Sequence, residues 1–326
     1  VDGFTYHLPM PVDWWRAQRL TLHYLPWSDY SNSYFPGNGH LLYLWMMLPF
    51  QGSLFVRLVG FAIWLLLGLS LYRLIQQMTG SRRTGLSMTT VFLFVPLVLS
   101  QATDLSLDMA SMAFYVLAWA YLTRLHRSRD SRSLLLFGIS SGLFLGIKYS
   151  APVYLALLLL AFLWVLLAKW RESQRPLRKL VLDVGVWCCV VLVFGGYWYL
   201  RNVDLTGNPI FPIDVTVGRM SLFHGCYPAG YYRASTLISY LGKVRVYDMV
   251  RALVIGYGGA YWMVLAASMG SLLTILQRGG GRGTWRGSAI LGNNLLLPLG
   301  LILVGSVLLY LWTPYSVMRF THALVS

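Results

Sequence analysis

Charge is the scarcest feature of this 326-residue chain, because only 11% of its residues are Asp, Glu, Lys or Arg, whereas 57% are hydrophobic and 15% are aromatic. A soluble domain carries about 25% charged residues. A chain with so little charge lacks the polar surface that covers a folded protein in water, whereas a lipid bilayer requires no such cover. The composition therefore excludes an ordinary soluble domain and predicts an integral membrane protein.

Cysteine and metal-binding motifs are also scarce. The three cysteines give no disulfide framework, because Cys188 and Cys189 are adjacent in an apolar run and Cys226 stands alone in a loop. Neither CxxC nor HExxH occurs, so the spacing predicts no metal site. Three outer histidines lack metal-ligand spacing and are interpreted as surface or packing residues, namely His7, His40 and His224.

Long hydrophobic runs, by contrast, occur along the whole chain, and a membrane helix needs about 20 mostly apolar residues. We predict spans at Leu54–Ile75, Leu86–Ser100, Leu105–Leu122, Leu134–Ile147, Ala151–Ala168, Leu180–Leu200, Met249–Leu276 and Ile290–Trp312. The shorter run His40–Phe50 predicts a helix that lies at the membrane surface or dips into it. The expected fold is an all-α polytopic membrane protein with a single transmembrane domain over residues 1–326. Its first outer loop, residues 1–53, carries surface helices, and residues 201–248 form a second long outer loop.

Basic residues are concentrated in every second loop, which the positive-inside rule places in the cytoplasm. The net charge of +15 is then explained by topology and by anionic lipid headgroups, so membrane lipids, and not nucleic acid, are the predicted partners. Of the 11 acidic residues, only Asp130, Glu172 and Asp183 fall on or near the cytoplasmic side. The acidic residues and the two long loops therefore predict that the working face is the outer one.

Three outer carboxylates are candidates for chemistry. Asp2 opens the first outer loop, where it serves either as a general base or cation ligand or as the cap of a turn. Asp104 and Asp108 are four residues apart and are predicted to share one helix face. We expect Asp108 to lie about one turn into an apolar span, where ionisable groups usually face a cavity or a partner. The structural alternative is a cap at Asp104 and a hydrogen bond at Asp108.

Two outer cations are candidates for binding an anion. Lys148 ends the motif Gly142–Tyr149 and interrupts the positive-inside pattern in a very short outer loop. Its ammonium group suits a phosphate, although the side chain also has the length to reach lipid headgroups. Arg201 lies in Trp198–Asn202 at the outer end of another span, and its planar guanidinium suits an anionic group.

The order of the outer motifs resembles that of a known superfamily. After the acidic Asp2 come YHLP, YFPGN, LLYLWMMLPF, a later outer carboxylate, GLFLGIKY and a WYLRN segment that leads into LTGNPIFP. The chain resembles the GT-C superfamily of membrane glycosyltransferases from Val1 to about Phe223. Within it, the chain is most similar to bacterial relatives of protein O-mannosyltransferases and of the lipid A aminoarabinose transferase.

The resemblance implies a GT-C-like helical bundle that transfers a sugar from a polyprenyl-phosphate carrier to a lipid, glycan or protein acceptor, usually with inversion. It implies a bacterial inner membrane location and an active site on the non-cytoplasmic face. Asp2 would activate the acceptor, supported by Asp104 or Asp108. The resemblance makes no cofactor certain. A divalent cation is possible, but Gly3 stands where some branches have a second acidic residue, which weakens the case for a metal. The implied substrate-binding residues are Tyr6, His7, Lys148, Tyr149, Arg201 and Asn202.

Departures and alternatives accompany this interpretation. A helix is expected before Asp2, so we interpret the chain as a fragment that lacks it. A secondary transporter of a lipid or glycan precursor is the second hypothesis, but it requires an inverted repeat, which the sequence does not show. The third is a non-catalytic membrane partner that binds a lipid-linked sugar without turnover.

Overall fold

The computed structural model describes residues 3–22, 30–105, 107–128, 130–173, 177–217 and 220–227. Asp2 lies outside these residues, as do the predicted spans Met249–Leu276 and Ile290–Trp312 and residues 218–219 and 228–248 of the second long outer loop. The described part is mostly helical, which confirms the all-α membrane class.

Short helices precede the bundle. A π-helical turn at Gly3–His7 leads into α1 (Pro9–Ala17), and a 3-10 helix at Tyr30–Tyr34 leads into α2 (Asn38–Phe50). The bundle helices are α3 (Arg57–Thr79), α4 (Arg82–Leu93), α5 (Pro96–Thr103), α6 (Asp108–Ser128), α7 (Ser131–Leu145), α8 (Ala151–Ser173), α9 (Leu177–Gly195) and α10 (Tyr197–Thr206). Two antiparallel strands follow, β1 (Val215–Val217) and β2 (Met220–Phe223).

Capping residues define the tight turns between several helices. Gly80 ends α3 in a left-handed conformation with φ 71°, and the Ser81 hydroxyl accepts a hydrogen bond from the Thr84 amide at 3.2 Å to begin α4. Asp130 begins α7 in the same way, accepting from the Ser133 amide at 2.7 Å. Hydrogen bonds from Ser133 and the charge of nearby Arg124 hold the pKa of Asp130 below its usual value.

Two of the predicted spans are interrupted. Leu86–Ser100 is not one helix but α4 and α5, because Pro96 disfavours a helical conformation at Val95, which is extended with ψ 129°. Leu180–Leu200 is divided between α9 and α10, which meet at an angle of 67°. The second bend follows the Gly195–Gly196 pair, whose lack of side chains permits the close approach described below.

Only α3 is by itself long and apolar enough to cross a membrane among the described helices, and a second crossing is obtained if the bent pair α9 and α10 counts as one. The helices α7 and the Ala151–Leu167 part of α8 are apolar but shorter. One stripe of α3 is exposed, whereas Val59, Ile63 and Leu67 on another stripe are buried. The exposed stripe consists of large apolar side chains, as expected for a lipid-facing surface: Leu58, Phe61, Leu65 and Leu69.

The bundle core runs through α3, α6, α7 and α9, each packed against the next. Small residues let α7 and α9 approach closely: a Cβ on Gly195 would collide with the Gly142 carbonyl oxygen, and one on Gly138 would lie 2.9 Å from Val190 Cβ. Phe137 and Trp187 stack between these helices with ring centroids 5.6 Å apart.

The helix connections fall at two ends of the bundle. At the basic end, defined by residues 77–82 and 124–132, Arg127 donates to the Gln77 carbonyl and Arg124 pairs with Asp130 at 3.5 Å. At the motif end, the turns of the outer motifs meet; this end is defined by residues 34–38, 104–108, 146–149 and 194–202. Among the described residues, the predicted basic loops after the first and third spans therefore lie together at one end of the bundle.

Candidate active site

Asn38 joins three chain segments at the motif end. Its backbone amide donates to the Gly146 carbonyl at 2.8 Å, and its side-chain amide donates to the Phe194 carbonyl at 2.7 Å. Its side-chain oxygen accepts from the Trp198 indole N–H at 2.8 Å. The start of α2, the turn after α7 and the bend before α10 are therefore held at fixed positions relative to one another.

Tyr149 and Asn202 form a buried hydrogen-bonded centre beside this junction. The Asn202 amide nitrogen donates to the Tyr149 hydroxyl at 2.6 Å and to the Tyr34 carbonyl at 2.9 Å. The Tyr149 hydroxyl in turn lies within donating distance of the carbonyls of Tyr34 and Phe211. Burial raises the pKa of Tyr149 above its usual value, so the phenol stays neutral and able to donate. These two predicted substrate-binding residues use their polar atoms within the protein.

Arg201 is oriented by this centre. Its Nε and Nη2 atoms donate to the Asn202 side-chain oxygen at 3.2 and 3.0 Å, and Nη2 also donates to the Ser33 carbonyl at 3.1 Å. The guanidinium carbon lies 5.0 Å from the centre of the Trp198 ring, which is a cation–π distance. In the described part of the chain, no hydrogen bond engages Nη1, so one side of the planar fork is available to an anion.

Lys148 and Asp108 form an ion pair, although the sequence presented them as separate candidates. Asp108 is the first residue of α6, and Lys148 lies in the turn between α7 and α8. The two side chains are partly buried, with 15% of the Asp108 side chain and 25% of the Lys148 side chain exposed. The lysine charge is therefore balanced at close range by a carboxylate.

Asp104 and Asp108 do not share a helix face, so that prediction is wrong. Asp104 is extended, with ψ 158°, in the connection after α5, and α6 begins only at Asp108. Asp108 is likewise at the start of the helix and not one turn into it. The Asp104 side-chain oxygen accepts a hydrogen bond from the Leu105 amide at 2.8 Å, and the residue is exposed. Its proximity to Tyr43 adds to burial in raising the pKa of that phenol.

Gly3 lies against the Asp104 segment. A Cβ on Gly3 would be 2.9 Å from Leu105 Cβ and 3.6 Å from the Asp104 Oδ1 atom, so the backbone here approaches the carboxylate closely. Asp2 is outside the described residues, but it is covalently bonded to Gly3. The beginning of the first outer loop and the connection before α6 therefore lie side by side.

His7 and His40 form a buried pair below Tyr6. The His7 Nδ1 and His40 Nε2 atoms are 3.0 Å apart, and the Tyr6 and His7 rings are 4.1 Å apart. Within the described residues, His40 Nδ1 is buried without a hydrogen-bond partner. We therefore assign the proton of His40 to Nε2, which donates it to His7 Nδ1. The other tautomer would place the N–H at the buried Nδ1 atom of His40 without an acceptor. Burial lowers the pKa of His40 to about 3, so its ring is neutral.

Several residues of this site were missed by the sequence interpretation. Asn38, Trp198 and His40 were recognised only as parts of motifs or as packing residues, whereas each makes a specific polar contact at the motif end. Ser33 contributes only a backbone carbonyl, which no side-chain pattern can reveal. Among the described residues, no group of three or more His, Cys, Asp or Glu side chains is placed to hold a metal ion.

Comparison with known families shows similarity to one described as dolichyl-phosphate-mannose-protein mannosyltransferase, whose model matches residues 27–205, more than half of the chain. The matched range contains Asp104, the ion pair of Asp108 with Lys148, and Arg201. No curated protein and no solved structure matches the chain.

Proposed function

Because the chain belongs to the dolichyl-phosphate-mannose-protein mannosyltransferase family, we propose that its motif end transfers a sugar from a polyprenyl-phosphate carrier to an acceptor hydroxyl. The membership confirms the resemblance to GT-C glycosyltransferases and makes the chain a membrane glycosyltransferase that uses a polyprenyl-phosphate sugar. Mannose and a protein acceptor are the first candidates, after the family description, and a lipid or glycan acceptor is the alternative. The observation that carries the proposal is the convergence of Asp104, Lys148 and Arg201 at the end of the bundle where the outer motifs meet.

The reaction requires a base and a cation. The acceptor oxygen attacks the anomeric carbon and loses its proton, while the bond from that carbon to the phosphate oxygen breaks and leaves its electron pair on the phosphate. A carboxylate near the acceptor hydroxyl takes the proton. A fixed positive charge stabilises the leaving phosphate as its second negative charge develops.

We assign the base to Asp2, with Asp104 as the second carboxylate. The support is the contact of Gly3, the neighbour of Asp2, with the Asp104 segment. Asp108 is the weaker candidate, because its charge is already engaged by Lys148. Asp104 is exposed, and within the described part of the chain its Oδ1 atom accepts a hydrogen bond from the Leu105 amide, so its second oxygen suits an acceptor or a cation.

We assign the carrier phosphate to Lys148 and Arg201. The internal hydrogen bonds of Arg201 within the described residues use Nε and Nη2, which leaves Nη1 for the phosphate. Lys148 lies next to Tyr149, whose hydroxyl accepts a hydrogen bond from Asn202. Tyr149 and Asn202 then act by positioning Arg201 and the Lys148 turn. Tyr6 and His7 belong to the helical turn that begins at Gly3, directly after the proposed base Asp2. We therefore place these two residues on the side of the site where the acceptor binds.

We further propose that the motif end faces the non-cytoplasmic side of a bacterial inner membrane. The loops rich in arginine gather at the opposite end of the bundle, and the positive-inside rule assigns such loops to the cytoplasm.

The test measures loss of label from a radiolabelled polyprenyl-phosphate mannose in membranes that contain the protein. We expect turnover by the wild type and a loss of about 100-fold or more in Asp2→Asn, because general-base catalysis contributes about 10²–10⁴-fold. Asp104→Asn should fall between the two, and Lys148→Met should raise the KM for the donor.

Asp204→Asn is the matched control, since Asp204 is an exposed carboxylate on α10 and the same change of charge should leave turnover near the wild-type rate. Equal turnover by wild type and Asp2→Asn would move the base to another residue. Absence of turnover with mannose and with a panel of other carrier-linked sugars would contradict the transferase proposal and favour transport or a non-catalytic role.

A further inference from the structure

We propose that Asp108, through its ion pair with Lys148, sets the charge of the carrier-phosphate site so that the site favours the phosphodiester donor over the phosphomonoester product. The inference rests on the proposed function, because it takes Lys148 and Arg201 as the groups that meet the carrier phosphate. It assigns to Asp108 a role in product release in place of acid–base chemistry.

The ion pair is built into the fold at both of its ends. Asp108 occupies the first turn of α6, where the helix dipole favours a negative charge. The Lys148 turn is fixed on one side by the hydrogen bond from Asn38 to Gly146 and on the other by Tyr149. Since both charged side chains are at least three-quarters buried, their interaction is screened less than that of a surface pair.

The charge of the carrier changes during the reaction. The donor is a phosphodiester with one negative charge. When the acceptor oxygen bonds to the anomeric carbon and the phosphate departs with the electron pair, the carrier becomes a phosphomonoester, which carries about −1.5 to −2 near neutral pH. Lys148 and Arg201 alone would present two positive charges, which match the product. With Asp108 included, the three groups sum to one positive charge, which matches the donor.

A fixed negative charge therefore opposes product binding more than donor binding. Coulomb energy is proportional to the charge on the ligand, so Asp108 repels the doubly charged monoester about twice as strongly as the diester. Asp108 thus weakens the complex with the spent carrier and shortens its residence, while Lys148 keeps enough charge to stabilise the leaving group.

The experiment compares equilibrium binding of two probes to the whole chain in lipid nanodiscs near neutral pH: a polyprenyl monophosphate and the mannosyl phosphodiester of the same polyprenol. We expect Asp108→Asn to bind the monoester more tightly relative to the diester, with the ratio of the two dissociation constants shifted by about tenfold. Inhibition of turnover by added polyprenyl monophosphate should strengthen by a similar factor. Asp108→Glu, which keeps the charge, should retain the wild-type ratio.

Asp130→Asn is the matched control, because it removes a carboxylate that pairs with Arg124 at the basic end and should leave the ratio unchanged. Lys148→Met tests the inference independently if Asp108→Asn fails to fold. Because it removes a positive charge, it should shift the ratio of the two dissociation constants in the opposite direction, in favour of diester binding.

An unchanged ratio in Asp108→Asn, or an equal weakening of both probes, would overturn the inference while leaving the proposed function intact, since a purely structural role affects both ligands alike. Failure of the wild type to bind either probe would overturn the proposed function and this inference together.

Discussion

The side-chain amides of two asparagines, Asn38 and Asn202, connect the segments of the motif end, because an amide both donates and accepts hydrogen bonds. Asn38 bonds to Phe194 and Trp198, and Asn202 bonds to Tyr34, Tyr149 and Arg201. A carboxylate at either position would retain the acceptor and lose the donors. The orientation of Arg201 therefore depends on a neighbour that does not itself meet the carrier phosphate in the proposed site.

The buried pair of His7 and His40 gives a pH-dependent stability. Burial lowers the pKa of His40 to about 3, below its ordinary value of 6.5. As the pH falls below about 6.5, the unfolded chain takes up a proton at His40 and the folded chain does not, so stability is complete above that pH and is lost progressively towards about pH 3. The expected loss from this residue is at most about 1.4 kcal/mol per pH unit.

Thermal unfolding in detergent between about pH 7 and 4 measures this effect. His40→Gln should show a shallower decline in melting temperature than the wild type over this range. His224→Gln removes an exposed histidine beside β2 and should keep the wild-type profile. Identical profiles for the wild type and His40→Gln would contradict the assignment.

Glycines determine the contact between two long helices at the element scale. Gly138 and Gly142 of α7 meet α9, and the Gly195 position admits no Cβ because of the Gly142 carbonyl oxygen. The same part of α9 leads through Gly196 into the 67° bend that carries Trp198 and Arg201 back over the motif end. Close packing and the geometry of the site therefore depend on the same few residues.

Gly195→Ala should force α7 and α9 apart and lower both the melting temperature and the affinity for the carrier, with a cost of about 1–3 kcal/mol for overpacking. Gly185→Ala is a matched control on the same helix, since no atom lies within 4 Å of the Cβ it would add. That control should be neutral or stabilising by up to about 1 kcal/mol, because alanine favours a helix over glycine. Equal melting temperatures for the two variants would contradict the packing argument.

The bundle has a basic end and a motif end at the scale of the whole molecule, and the proposed orientation places them on opposite sides of the membrane. A chain with its native cysteines replaced by serine permits a test with single exposed cysteines. Asp204→Cys at the motif end should react with a membrane-impermeant maleimide in intact cells, whereas Arg82→Cys at the basic end should react only after permeabilisation. Both positions are exposed in the fold, so burial would not explain a failure to react. Labelling of Arg82→Cys but not of Asp204→Cys in intact cells would therefore contradict the proposed orientation.

Much of the architecture follows from hydropathy and local signals. The low charge and long apolar runs predict the all-α membrane class, and helices occur at each of the six predicted spans, out of eight, that fall within the described part of the chain. Pro96 marks the break between α4 and α5 in the sequence, and the Gly195–Gly196 pair marks the bend after α9. The spans were predicted from apolar content alone, so each was drawn as one continuous helix through the interruption. The predicted site residues Asp2, Asp104 and Arg201 keep their proposed roles as hypotheses.

Hydropathy and local sequence signals are sufficient to predict that this protein lies in a membrane, roughly where its helices run, and which types of charged group lie at one end of them. Those properties are local, because they depend on composition and on steric interactions between residues that are close along the chain. Only the packing of the helices showed that Asp108 pairs with Lys148, that Gly3 lies against Asp104, and that Asn202 donates a hydrogen bond to Tyr149. These contacts join residues far apart in sequence, so no local pattern specifies them. They depend on which helix ends meet, and that is decided by the packing of helices such as α6, α7 and α9 against one another.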